Sequence, residues 1–211
     1  MIDAVLDAAL DRWAERVFAG TDGEARLAPH LARWADEVGE VRGDDDDAIA
    51  LVRARTDWAL VECRAAPPQG DDEHALAASI CGLFEVWPTP GGRAWLRDRT
   101  AGIALPLHGT LDLRPEPQGP AALWELRVVL RQDALVAVRP PLSYPSVVVT
   151  ELERLRPPAS TPPLPGAPAV LLQALRRARL WHARAARQDP RAGFAAAIAR
   201  ARPGDIDGPR C

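Results

Sequence analysis

Between Gly82 and Pro145, apolar residues alternate with charged ones at period two, and clusters of Gly and Pro cut the run into short pieces. A chain with that pattern must build a sheet there, because successive strand side chains point to opposite faces and a one-residue slip would exchange the two sets. The flanks carry a different period. Ile2, Val5, Leu6, Ala9, Leu10, Trp13 and Val17 recur at helical spacing, with Asp3, Asp7, Asp11 and Glu15 on the opposite face. The combination predicts an α+β fold: N-terminal helices, a central antiparallel β-sheet or small partly open barrel, and a C-terminal helix after a Pro-rich strap.

Four stretches follow within one expected globular unit of 211 residues: an acidic helical segment (1–81), a β-rich core module with a closing helix (82–156), a Pro-rich linker (157–168), and a basic helix with its tail (169–211). In the first, Gly20-Thr21-Asp22-Gly23 reads as a break, and Leu27, Leu31, Trp34 and Val38 outline a second helix with Pro29 in its opening turn. Asp44 to Asp47 precede a third helix marked by Ile49, Val52, Ala59, Leu60 and Cys63. Four adjacent Asp lack the alternate ligand spacing of a calcium loop and read as cap and dipole-stabilising charge. Leu51 and Trp58 lie off the stripe, so this helix is expected to be buried on two sides.

In the module, Leu83–Trp87 and Ala94–Arg97 form a hairpin about Pro88–Gly92, and Ile103–Leu107 follows. After a Pro-rich excursion (Pro115–Pro120), Trp124, Leu126, Val128 and Leu130 face one way and Glu125, Arg127 and Arg131 the other. Gln132-Asp133 then turns the chain into Leu135–Val138. Pro140-Pro141 is expected to end the sheet, Pro145–Arg156 to be a helix, and Pro157–Pro168, with six Pro in twelve residues, an extended strap. Val170–Arg187 reads as the final long helix and Pro203–Cys211 as a poorly ordered tail.

Gly82-Leu83-Phe84-Glu85-Val86, Trp95-Leu96-Arg97-Asp98-Arg99-Thr100-Ala101-Gly102, Leu123-Trp124-Glu125-Leu126-Arg127-Val128-Val129 and Leu142-Ser143-Tyr144-Pro145 stand in that order. This series resembles a poorly characterised bacterial family with a GLFEV, LRDL-TG and L-EARLV β-module. Thr56-Asp57-Trp58-Ala59-Leu60-Val61-Glu62 is similar to the same family's acid-ended helix. The resemblance covers roughly a third to a half of the chain. In some of those proteins the module precedes a Cys-rich SEC-C zinc motif, which three scattered Cys cannot supply. It implies a fold and no catalytic residue.

Composition removes several chemistries. All 26 basic residues are Arg, with no Lys and no Asn, so a Walker lysine, a Schiff-base amine and protein-kinase machinery are excluded. Cys63, Cys81 and Cys211 form no C-x-x-C pair, and the 10- and 6-residue gaps of Cys63, His74 and Cys81 match no metal motif. Cys81 or Ser143 with His108 and Asp98 would be the material of a hydrolase, yet no nucleophile elbow surrounds either. No catalytic, cofactor or metal residue is therefore assigned. Met1-Ile2-Asp3 lacks a basic leader and no apolar run reaches membrane length, so a cytoplasmic protein with no membrane partner is expected.

Contact surfaces remain. Residues 1–80 hold 18 acids against 8 Arg, 81–168 hold 8 against 9, and 169–211 hold 3 against 9. Head and tail either attract each other, within or between copies, or the tail meets an anionic partner. Arg176, Arg177, Arg184 and Arg187 are the phosphate-contact candidates on one helical face, with Trp181 on the apolar side and expected in the core. Trp13, Trp34 and Trp58 are expected to fill helical core. Trp87 and Trp95 fall on the outward side of their strands; cover by the protein's own helices is the more economical account, and a protein contact the alternative. The expected function is a non-catalytic interaction or adaptor module of a bacterial assembly, or a homo-oligomer. A nucleic-acid-associated accessory protein comes second and an uncharacterised hydrolase third.

Overall fold

Strand β4 (Leu123–Arg131) organises the molecule, because residues 123–129 are buried on both of its faces. The computed structural model describes residues 2–45, 47–88, 94–99, 104–108, 123–131, 134–154, 169–184 and 190–201. Around β4 stand β1 (Ile80–Pro88), β2 (Ala94–Asp98), β3 (Ala104–Leu107), β5 (Ala134–Ala137) and β6 (Leu142–Tyr144). The order is β1-β2-β3-β5-β4-β6, and β1 also pairs with β4, so five strands close on themselves. All neighbours are antiparallel except β3 and β5, which meet in parallel at Leu107 and Leu135. This is a five-stranded, partly open Greek-key barrel with β6 added outside it.

The barrel interior takes one alternate set of side chains: Phe84, Leu96, Leu107, Trp124, Leu126, Val128, Leu135 and Ala137. The other set faces helices. Seven α-helices lie among the described residues: α1 (Ala4–Phe18), α2 (Gly20–Glu37), α3 (Ala48–Asp57), α4 (Gly70–Ala77), α5 (Ser146–Arg154), α6 (Ala169–Arg184) and α7 (Pro190–Arg200). Leu6, Leu10, Trp13 and Val17 of α1, with Leu76 of α4, cover Val129, Val136 and Val138. Trp34 of α2, Leu51 and Trp58, and the apolar residues of α5, α6 and α7 cover Leu83, Leu123, Leu142 and Tyr144. The core is thus three clusters, with β4 common to all of them.

Local chemistry explains most boundaries. The Asp3 carboxylate accepts the Val5 and Leu6 amide N–H groups and caps α1. Gly20 has φ +72°, a left-handed conformation that lets α2 leave directly from the end of α1. The expected break at Gly20–Gly23 is therefore the first turn of α2, and Pro29 sits inside that helix rather than at its start. Pro140-Pro141 does not end the sheet, since β6 begins at the next residue, Leu142, and pairs with Leu123–Glu125. Nor is α6 the last helix. Pro190 opens α7, in the first-turn position where its missing N–H costs nothing, and Phe194 and Ile198 close the core over Tyr144.

The Pro-rich stretches 115–120 and 157–168 and the tail 203–211 lie outside the described residues. Among the described residues no helix is long and apolar enough to cross a membrane.

Candidate functional site

The charged side chains of β4 do not face water. Glu125 and Arg127 point from the barrel toward α3 and α6, and each is 5% exposed. They lie between Leu123, in one helix-covered cluster, and Val129, in the other, so a charged seam divides two apolar regions. Each charge in the seam has a counter-charge.

Arg176 of α6 donates from Nε to Glu125 at 2.9 Å and from Nη2 at 2.5 Å, while the Tyr144 hydroxyl donates to the other oxygen at 2.8 Å. Arg127 donates to Glu62 at 2.6 Å and to the Ser79 hydroxyl at 2.8 Å. Arg139 grips Asp57 through two bonds of 3.0 Å and reaches Asp7 at 2.5 Å and Asp11 at 2.8 Å. Burial works against the charge on Arg127, Arg139 and Arg176; the carboxylates beside them outweigh it and raise all three above the ordinary arginine pKa.

A local irregularity aligns the acids. After Asp57 the helix widens into a π turn over Trp58–Glu62, with the Cys63 N–H on the Trp58 carbonyl at 3.0 Å. Five residues of α-helix would turn Asp57 and Glu62 about 140° apart. The wider turn lets both approach Arg127, Glu62 at 2.6 Å and Asp57 at 4.0 Å.

Above the seam is a cavity of about 360 Å³, because α3 turns Ala50 and Ala54 toward it, too small to fill the gap. Asp57, Glu125, Arg127, Arg139 and Arg176 line it, together with Cys81 and Arg53. Cys81 is held by burial first and by Glu125 next, which push its thiol up to about 12. Among the described residues its hydrogen-bond partners are Glu125 and Arg176, each at 3.8 Å, and with its pKa raised the thiol stays protonated at neutral pH and is a poor nucleophile. Ser143 lies in β6, where its carbonyl accepts from Arg179; His108 is exposed at the end of β3 and Asp98 is buried at the end of β2.

No family model, curated protein or solved structure matches this chain.

The basic helix is used differently from the sequence expectation. Arg176 is 3% exposed and belongs to the seam, its guanidinium lying over the Trp34 ring at 5.0 Å, and so it does not share a solvent face with Arg177 and Arg184. Arg177 donates to the Asp36 carbonyl at 3.2 Å, and Arg184 chelates Asp45 at 2.9 and 2.8 Å. Arg187 lies outside the described residues. Arg179, which sequence reasoning passed over, binds Asp47 at 2.5 Å. Basic tail and acidic head therefore attract within one molecule. Asp47 stands at the α3 N-cap position without making a side-chain cap bond, and Asp45 and Asp47 hold α6 instead. Trp181, expected in the core, is 57% exposed.

Trp87 and Trp95 are direct cross-strand partners on the outer face of the β1–β2 hairpin, 53% and 42% exposed. The protein's own helices leave them open. Arg97 lies over the Trp87 ring at 5.7 Å, and Pro106 of β3 pairs beside Trp95.

Proposed function

We propose that this protein is a non-catalytic binding module that meets a protein partner through the outer face of the β1–β2 hairpin. The observation that carries the reading is the exposed Trp87–Trp95 pair with Arg97 stacked upon it. Trp and Arg dominate the energetics of protein contacts, and cross-strand Trp side chains held by the sheet lose little entropy on binding. The partner this face suits carries an apolar patch with a carboxylate for Arg97, or is a second copy of the chain. A high Cys81 pKa and a seam whose charges are paired favour binding over nucleophilic chemistry. Cys81 is a free thiol, which supports a cytoplasmic setting.

Two measurements test this: light scattering, and affinity capture compared between the native chain and Trp87→Ala/Trp95→Ala. A partner or dimer lost in the double variant is expected. A monomer that retains the same partners without the two Trp overturns the proposal.

Single-stranded nucleic acid is the second reading, and the barrel itself favours it. Barrels of this Greek-key type bind oligonucleotides on the strand 2–3 face, and bases stack on exposed aromatics beside Arg. That moves the nucleic-acid site from Arg176, Arg177, Arg184 and Arg187 to Trp87, Trp95 and Arg97. Titration with oligothymidylate should then quench Trp fluorescence in a salt-dependent way; no quenching at low salt removes it.

A further inference from the structure

We infer that the cavity over the charged seam is a binding site for a small zwitterion of the α-amino-acid class, with its ammonium on Asp57 and Glu125 and its carboxylate on Arg53. This site is separate from the hairpin face and does not depend on it.

Burying ionised groups is costly, and replacing a buried pair by apolar residues is often neutral or stabilising. Here five charged side chains no more than 7% exposed, ion-paired among themselves, border an open space of about 360 Å³ that α3 does not fill. The volume lies near the lower end of the roughly 300–1,000 Å³ of small-molecule sites, suiting a metabolite of amino-acid size.

Both signs of charge in the lining fit a ligand that carries both. Four Arg (53, 127, 139, 176) and four acids (Asp45, Asp47, Asp57, Glu125) line the cavity. A zwitterion can engage both signs without adding net charge to this ion-paired set.

Unused valences give its orientation. A carboxylate has about four acceptor positions. Asp57 uses two on Arg139, and the Glu125 oxygen bonded to Tyr144 has one partner among the described residues. Arg53 is the opposite case. Among the described residues its one ionic partner is Asp11 at 3.6 Å, beyond hydrogen-bond length, and its side chain is 40% exposed. Acceptors within the cavity and donors on a partly exposed Arg are the arrangement an ammonium and a carboxylate require. Ala48, Ile49, Ala50, Ala54 and Leu142 supply apolar wall for a side chain.

The test uses calorimetry and thermal shift on the full chain with individual amino acids, propionate and propylamine at millimolar concentration. At least one amino acid should bind and raise Tm by mass action, while the two single-charge analogues do not. Arg53→Ala should weaken that binding about tenfold or more without changing the ligand-free Tm. Ala54→Leu, which fills the cavity from α3, should abolish it. The inference is overturned if no amino acid binds, if propionate or propylamine binds equally well, or if binding persists unchanged in Arg53→Ala.

Discussion

Asp57 and Arg139 form a two-pronged ion pair, Nε to Oδ2 and Nη2 to Oδ1 at 3.0 Å each, between the last turn of α3 and the segment joining β5 to β6. Asp57 is 2% exposed. Removing one partner leaves the other charge buried and unmatched, so Asp57→Ala should cost about 3–5 kcal/mol in urea unfolding. Arg139→Met keeps Asp57 near Arg127 and should cost less. The double variant should lose less than the two single losses combined, because the second substitution removes the stranded charge.

Acid should loosen the bond between head and tail. The Arg184 hydrogen bond holds the Asp45 carboxyl at about 2, below its ordinary 3.8. A depressed carboxylate contributes stability above its unfolded pKa and loses it as pH falls toward the folded value. The contribution is thus present above pH 3.8 and disappears toward about pH 2. Arg184→Ala should flatten stability across that window while leaving the slope above it unchanged, as measured by denaturant unfolding at stepped pH.

Alkali acts on Cys81 with the reverse sign. Its thiol goes from 9.0 unfolded to about 12 folded, so between those values the unfolded chain has released a proton that the native chain still holds. Stability should fall as pH rises through that interval, and Cys81→Ala should remove this component. At pH 8 a thiol reagent should label native Cys81 far more slowly than the denatured chain. Rapid native labelling would contradict a thiol held protonated at that pH.

The α1–α2 elbow tolerates no side chain at Gly23. A Cβ there would collide with the Phe18 backbone, its carbonyl oxygen lying only 2.6 Å away. Gly23→Ala should cost about 3 kcal/mol by thermal melting, whereas Gly43→Ala, with open space around it, should be nearly neutral.

Periodicity made much of this architecture legible. It sorted Trp124, Leu126 and Val128 from Glu125 and Arg127, and placed Trp13, Trp34 and Trp58 in the core. It could not show that the charged side of β4 is also buried, because Glu62 and Arg176, which make that burial tolerable, lie 65 and 51 residues away from their partners. A helical wheel put Arg176 with Arg177 and turned Trp181 inward. The pull of Glu125 on Arg176 and the cover provided by α7 decided otherwise. Strand β6, three residues long, is too short to register as a period, and Asp189-Pro190 was the available signal for α7.

The π turn has an implication for how this chain can vary. A π turn holds one residue more than an α turn, so deleting a single residue between Trp58 and Glu62 would restore a regular helix at little local cost. Everything after the deletion would then keep nearly its present direction, since Glu62, as the fourth residue after Asp57, would stand only about 40° from it in an α-helix. Glu62 would still face Arg127, but one of Ala59, Leu60 and Val61 would be lost from the clusters they fill. The extra residue of the turn is therefore held by the packing of Ala59, Leu60 and Val61 rather than by the alignment of Asp57 with Glu62.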